Sequence, residues 1–180
     1  MNNEMHNEET GITRSNLKQA FWKVYFEKRI ERISIREIVH VAGYNRGTFY
    51  NYFHDIYDIL SEIESDLLDE TDHCFSLILD NNEMRDQTEA SFKKFFENKE
   101  YFEKLLGPNG DPMFANALKN RIKSTLRRFI QKTPVSDQST EYRLEFYSAG
   151  IISIINMWLQ SDNNFPLKSF SNVIIDSISL

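Results

Sequence analysis

Apolar residues recur along this chain at helical spacing. Leu17, Ala20, Phe21 and Val24 fall at i, i+3, i+4 and i+7, which predicts an amphipathic helix over about 13–28 with Thr13 as its N-cap. A second, short helix follows. Ser34 caps it, Glu37 completes a capping box, and Ile35, Ile38, Val39 and Ala42 form its inward face. Gly43 ends it, because glycine tolerates the left-handed backbone of a tight turn. Asn45 then caps a third short helix running to about Phe53, with Phe49 and Phe53 inward. Two short helices joined by a glycine-containing turn predict a helix-turn-helix.

Beyond it, His54 or Asp55 opens a long helix to about Leu79, with Ile56, Ile59, Leu60, Ile63 and Leu67 on one side, and Asn81-Asn82 reads as a break. A Phe-rich stretch precedes the turn-forming run Gly107-Pro108-Asn109-Gly110-Asp111-Pro112. Three more apolar stripes follow: Met113 to Phe129, about 140–160, and Pro166 to about Ile178. With only 6 Gly and 4 Pro in 180 residues, too few turns exist for a sandwich or barrel of short strands, so the expected class is all-α. The expected organisation is a polar tail over 1–11, a helix-turn-helix domain over 12–54, and a helical regulatory and dimerisation domain over 55–180.

Composition alone, with a formal net charge of -6, argues against a polyanionic partner. Its distribution reverses that reading. Residues 11–54 carry eight basic against three acidic residues, a net of +5, whereas residues 55–180 carry a net of -8. A basic module ahead of an acidic body is the asymmetry expected when one end touches nucleic acid.

Several classes are set aside. Cys74 is the single cysteine, so no internal disulfide forms and a reducing compartment is expected. The N-terminus has no apolar signal-peptide core. The longest apolar stretch, Ala149–Leu159, is too short to span a bilayer, and together these predict a cytoplasmic protein with no membrane partner. No dinucleotide or phosphate-binding glycine motif occurs, His73 and Cys74 lack metal-ligand spacing, and no catalytic triad or carboxylate pair stands out. The expectation is no enzyme, no cofactor and no metal.

The stretch Ser34–Leu60, and above all Gly43-x-Asn45-Arg46-Gly47-Thr48-Phe49-Tyr50-x-Tyr52-Phe53, resembles the DNA-binding signature of the TetR family of bacterial transcriptional regulators. The resemblance implies that Ser34, Arg36, Tyr44, Asn45, Arg46, Gly47, Thr48, Tyr50 and Tyr52 contact double-stranded DNA. Physical chemistry agrees in outline. Arg46, at the leading end of the recognition helix, can pair bidentately with a guanine, and Gly47 leaves room for close approach to the backbone. The hydroxyls of Thr48, Tyr50 and Tyr52 can donate to phosphates. For Tyr50 a core position is the alternative, and for Arg36 a solvated face. The family commonly has a lysine where this chain has Ile56, so one phosphate contact is missing there or His54 supplies it.

The remainder is similar to TetR-type C-terminal domains more loosely. The resemblance implies a homodimer through the last two helices, and the candidate interface is Tyr147, Ile151, Ile155, Trp158, Phe170, Val173 and Ile174. Phe75, Phe92, Phe95, Phe96, Phe102, Met113, Phe114 and Leu118 either line a cavity for a small apolar effector or pack as ordinary core. The expected function is a homodimeric repressor of a palindromic operator released by that effector. The alternative is an adaptor or coactivator on the same scaffold that answers to a protein partner.

Overall fold

The computed structural model describes residues 2–80, 97–108, 110–130, 138–161 and 165–178. All the regular structure among them is helical: α1 (Asn2–Glu27), a 3-10 turn (Ile30–Arg32), α2 (Ile35–Ala42), α3 (Arg46–Tyr50), α4 (Ile56–Asp80), α5 (Lys99–Leu106), α6 (Pro112–Ile130), α7 (Gln138–Gln160) and α8 (Leu167–Ile178). The chain divides into two compact units, Met1–Ser65 and Asp66–Leu180, with α4 contributing to both.

In the first unit α1 buries Leu17, Ala20, Phe21 and Val24 as its spacing requires, and Trp22 and Tyr25 widen the stripe. Phe21 stacks on Tyr25 at 5.5 Å between ring centroids. The helix begins at Asn2 and not at Thr13. Residues 2–12 contain no proline, and Gly11 costs only about 1 kcal/mol in a helix interior, so a single threonine does not force a start.

α2 is closed at both ends by chemistry written in its sequence. The Ser34 hydroxyl accepts from the Glu37 amide, the Glu37 carboxylate accepts from the Ser34 amide at 3.0 Å, and Gly43 adopts φ 74°. Lys28 adds an ion pair to Glu37. α3 is shorter than its sequence pattern suggests: it ends at Tyr50, and the amides of Tyr52 and Phe53 fold back onto the Phe49 carbonyl at 3.0 and 2.9 Å. Asp55 caps α4 by accepting from the Tyr57 and Asp58 amides.

In the second unit, Arg121 and Arg128 of α6 reach Asp69 and Asp72 of α4, and Thr125 bonds Asp72. Lys119 and Lys123 pair with Glu145, and Arg127 with Glu141, fastening α6 to α7. These rim pairs each contribute little, and the apolar seam beneath them carries the packing. Phe102 meets Phe114 at 5.9 Å, and Trp158 meets Phe170 at 5.3 Å.

Two sequence expectations change here. Phe75, Phe102, Phe114 and Leu118 are buried, but Met113 is 76% exposed. The Asp111 carboxylate accepts from the Met113 amide, which fixes Met113 in the first turn of α6, one residue off the buried 114–118–122 stripe. Phe92, Phe95 and Phe96 lie outside the described residues. The second change concerns the interface set. Ile151, Ile155, Trp158, Phe170 and Ile174 are buried inside their own chain, and Tyr147 is half-buried, because α7 packs against α5, α6 and α8. Val173 alone of that set is exposed. The apolar stripe that α7 shows to solvent is a different one: Tyr142, Phe146 and Met157, with the small residues Ala149, Gly150 and Ser153 between them.

The turn before α6 depends on Gly110. A Cβ there would lie 1.9 Å from the Leu105 carbonyl oxygen, while the Asp111 amide already donates to that oxygen at 2.9 Å. Gly110→Ala should therefore destabilise the protein by roughly 1–3 kcal/mol in urea unfolding. Unchanged stability would contradict this packing. At α2, Ser34→Ala should cost about 1 kcal/mol. Glu37 is held down to about 2 from 4.5 by Lys28 first and then by Ser34. A depressed carboxyl contributes stability that is present above the unfolded value and lost as pH falls toward the folded one. Wild-type chain should thus lose stability relative to Glu37→Gln as pH drops from 4.5 toward 2, whereas parallel curves would refute the assignment.

Candidate nucleic-acid interface

The Ser34–Phe53 motif folds into two short helices whose ends are fixed by their own side chains. The Asn45 side-chain oxygen accepts from the Thr48 amide at 2.9 Å, so Asn45 serves as the N-cap of α3. Ser34 is committed in the same way at the start of α2, donating its hydroxyl to Glu37 at 3.0 Å. Both side chains are exposed at helix N-termini, where free amides and the positive end of the dipole favour a phosphate.

Phe49 and Phe53 are core, tilted against each other at 5.7 Å. That pins the inner side of α3 and leaves Arg46, Gly47 and Tyr50 outward. Arg46 and Arg36 are exposed and form no ion pair among the described residues. Tyr50 is 58% exposed, which disposes of a core role for it. Thr48 and Tyr52 are half-buried on the flanks, and His54 is exposed, with its amide donating to Asp58 at 2.8 Å. The outward residues Arg36, Arg46, Tyr50 and His54 thus supply two guanidiniums, a phenol and an imidazole.

Tyr44 behaves differently. It is half-buried, and its phenol oxygen accepts from Asn16 of α1 at 3.1 Å. Asn16 and, after it, Thr13 hold the phenol below its usual range. Neither Asn16 nor Thr13 stood out in the sequence as a site residue, because nothing in the spacing of α1 says which polar side chain meets the turn. Tyr57, on the first turn of α4, is exposed as well.

The outward charge is smaller than a count of basic residues suggests. Arg14 donates to Glu62 at 2.8 Å with its guanidinium 5.1 Å from the Phe53 ring, Lys18 pairs with Glu62 as well, and Lys28 is taken by Glu37. Arg14, before Lys18, lowers the Glu62 carboxyl. At least three of the eight cations of 11–54 therefore work inside the head, and the groups exposed around α2 and α3 add to the outward field.

No group of three His, Cys, Asp or Glu side chains able to hold a metal occurs among the described residues. Burial raises the Cys74 thiol to about 12, which makes it an inert core group. None of the described helices is long and apolar enough to cross a membrane.

Comparison with known proteins bears on the rest of the chain. No curated protein matches it by sequence. Among solved structures it is similar to a TetR transcriptional regulator from Streptococcus agalactiae 2603V, with a TM-score of 0.69 and 17% identity over 97% of this chain and 98% of that one. It is also similar to the dihydroxyacetone kinase operon activator DhaS, with a TM-score of 0.63 and 20% identity over 93% of this chain and 94% of that one. At such identities these two likenesses speak for the fold alone. The sequence match is more specific: residues 82–179, more than half of the chain, fit the TetR-type family model described as a transcriptional regulator C-terminal region. The chain belongs to the TetR family of transcriptional regulators.

Proposed function

We propose that this protein is a homodimeric, sequence-specific DNA-binding regulator that represses transcription from a palindromic operator and is released by a small apolar effector. The observation that carries the reading is the outward face of α3: a capped helix, pinned from within by Phe49, with Arg46 at its leading end and Tyr50 one turn on. A helix N-terminus of this kind fits the major groove, roughly 12 Å wide, with Arg46 toward base edges and hydroxyls toward phosphates.

The exposed stripe of α7 supports dimerisation. Tyr142, Phe146 and Met157 are exposed at spacings of four and eleven residues, a single stripe of the helix, and Val173 of α8 is exposed too. The small residues at 149, 150 and 153 allow a second helix to approach closely, since interaxial distance depends on the side chains at the contact. This stripe replaces the buried residues as the proposed interface. A two-fold pair of heads then reads two half-sites on one face of the duplex.

In this reading the effector meets Phe75, Phe102, Phe114 and Leu118, which are buried in the apolar interior of the second unit. Its ligand is neutral or cationic, because an unpaired carboxylate buried there is costly. A second reading is a coactivator on this scaffold that answers to a protein partner. It is favoured by the ring-on-ring packing of Phe102 and Phe114, which gives these residues a core role with no ligand needed. A thermal-shift screen separates the two readings: an apolar compound that raises the melting temperature and dissociates the DNA complex supports release by an effector.

Arg46→Ala should weaken binding to a duplex selected by the wild-type chain by roughly 1–3 kcal/mol and relax discrimination at one base pair per half-site. An unchanged affinity and base profile would remove Arg46 from readout. Wild-type chain should sediment at twice 21.3 kDa, and Phe146→Glu with Met157→Glu should give a folded monomer. A dimer that survives both charges would place the interface elsewhere.

A further inference from the structure

Five residues cannot hold a helix in place by their own hydrogen bonds, so the tilt of α3 is set by what grips its ends. The inner grip is Phe49. The outer grip is the turn before it, and there the backbone and the side chain of Tyr44 are tied to different helices. Its amide donates to the Val39 carbonyl of α2 at 2.9 Å. Its phenol oxygen accepts from Asn16 of α1 at 3.1 Å, with Thr13 as a further partner. Thr13 and Asn16 are three residues apart and so share one face of α1. Arg46, whose reach to a base edge defines readout, lies two residues beyond Tyr44.

Resting on the DNA-binding reading above, we propose that Asn16 is a positioning residue for operator recognition: through the Tyr44 hydroxyl it clamps the leading end of α3 to α1 and so aims Arg46. Tyr44 then acts inside the head and is not itself a DNA contact, which changes the role implied for it by family resemblance. Asn16 touches neither base nor phosphate in this scheme. Because the bond is partly shielded from water, loss of it shows at the level of one ordinary hydrogen bond. Looseness at a distance of two residues is enough to cost readout, since a bidentate pair with a guanine demands both position and orientation.

The test is a double-mutant cycle on the full chain with Asn16→Ala, Tyr44→Phe and both together, using a duplex that wild-type chain selects from a random library. Each single change should weaken specific binding about 3- to 10-fold, and the double variant should lose no more than Tyr44→Phe alone. Binding to a non-specific duplex should stay at the wild-type level, because the phosphate contacts remain; a general loss of fold would lower both. Wild-type affinity in Asn16→Ala overturns the proposal, and so do losses that multiply in the double variant, which would mean that Tyr44 touches DNA itself. Amide hydrogen exchange judges the clamp without DNA. In Asn16→Ala the amides of Asn51, Tyr52 and Phe53 should lose protection about 3- to 10-fold while those of α4 keep theirs. Unchanged protection overturns the clamp, whereas a wild-type chain that selects no duplex overturns the DNA-binding reading and leaves the exchange result to decide the clamp.

Discussion

The constraint on which the rest depends is the length of α3. A helix of five residues has almost no hydrogen bonds of its own to spend on stability, since every orphan amide and carbonyl lies within a turn of an end. Whatever it does must be made possible from outside. The side-chain oxygen of Asn45 closes its N-terminus, Phe49 sinks one side into the core, and the amides of Tyr52 and Phe53 tighten its exit. α2 needs the same help and receives it from the Ser34–Glu37 box and from Gly43. The head is therefore a set of short elements held by caps and by the buried face of α1. That is how a small unit keeps a rigid outward surface while much of its charge is used internally.

The charge pattern is a product of this arrangement. Arg14 and Lys18 converge on Glu62, and Lys28 on Glu37, so these cations brace α1 against α4 and α2. Arg36 and Arg46 are left facing water, on the surface where a polyanion can reach them. In the second unit the acidic residues of α4 are met by arginines of α6, and the acidic residues of α7 by lysines of the same helix. Net charge thus describes the long-range field, and pairing decides which groups act on a partner.

What could be read from the sequence was local. The Ser34–Glu37 box, the Gly43 stop and the Asn45 cap are relations between residues a few positions apart, and the structure contains all three. The helix periodicities placed Phe49, Phe53, Ile59 and Leu67 in the core for the same reason. The misses were relations across the fold. Periodicity finds the apolar side of α7 but does not say which apolar residues meet their own chain: Ile151 and Ile155 are buried within it, and Phe146 faces outward. Asn16 was illegible because its partner is 28 residues away. Family membership rests on residues 82–179 and the DNA-binding motif on 43–53, so the two lines of argument share no residues.

The central claim is that an externally braced α3 delivers the Arg46 side of the head to base edges, once from each subunit. Guanine methylation interference on a selected duplex tests it most directly, because N7 methylation blocks the major-groove edge that an arginine reads. The account predicts two related clusters of interfering guanines on one face of the duplex, separated by about one helical turn or a multiple of it. Binding indifferent to N7 methylation throughout the duplex, or sensitive at one isolated cluster, would contradict it.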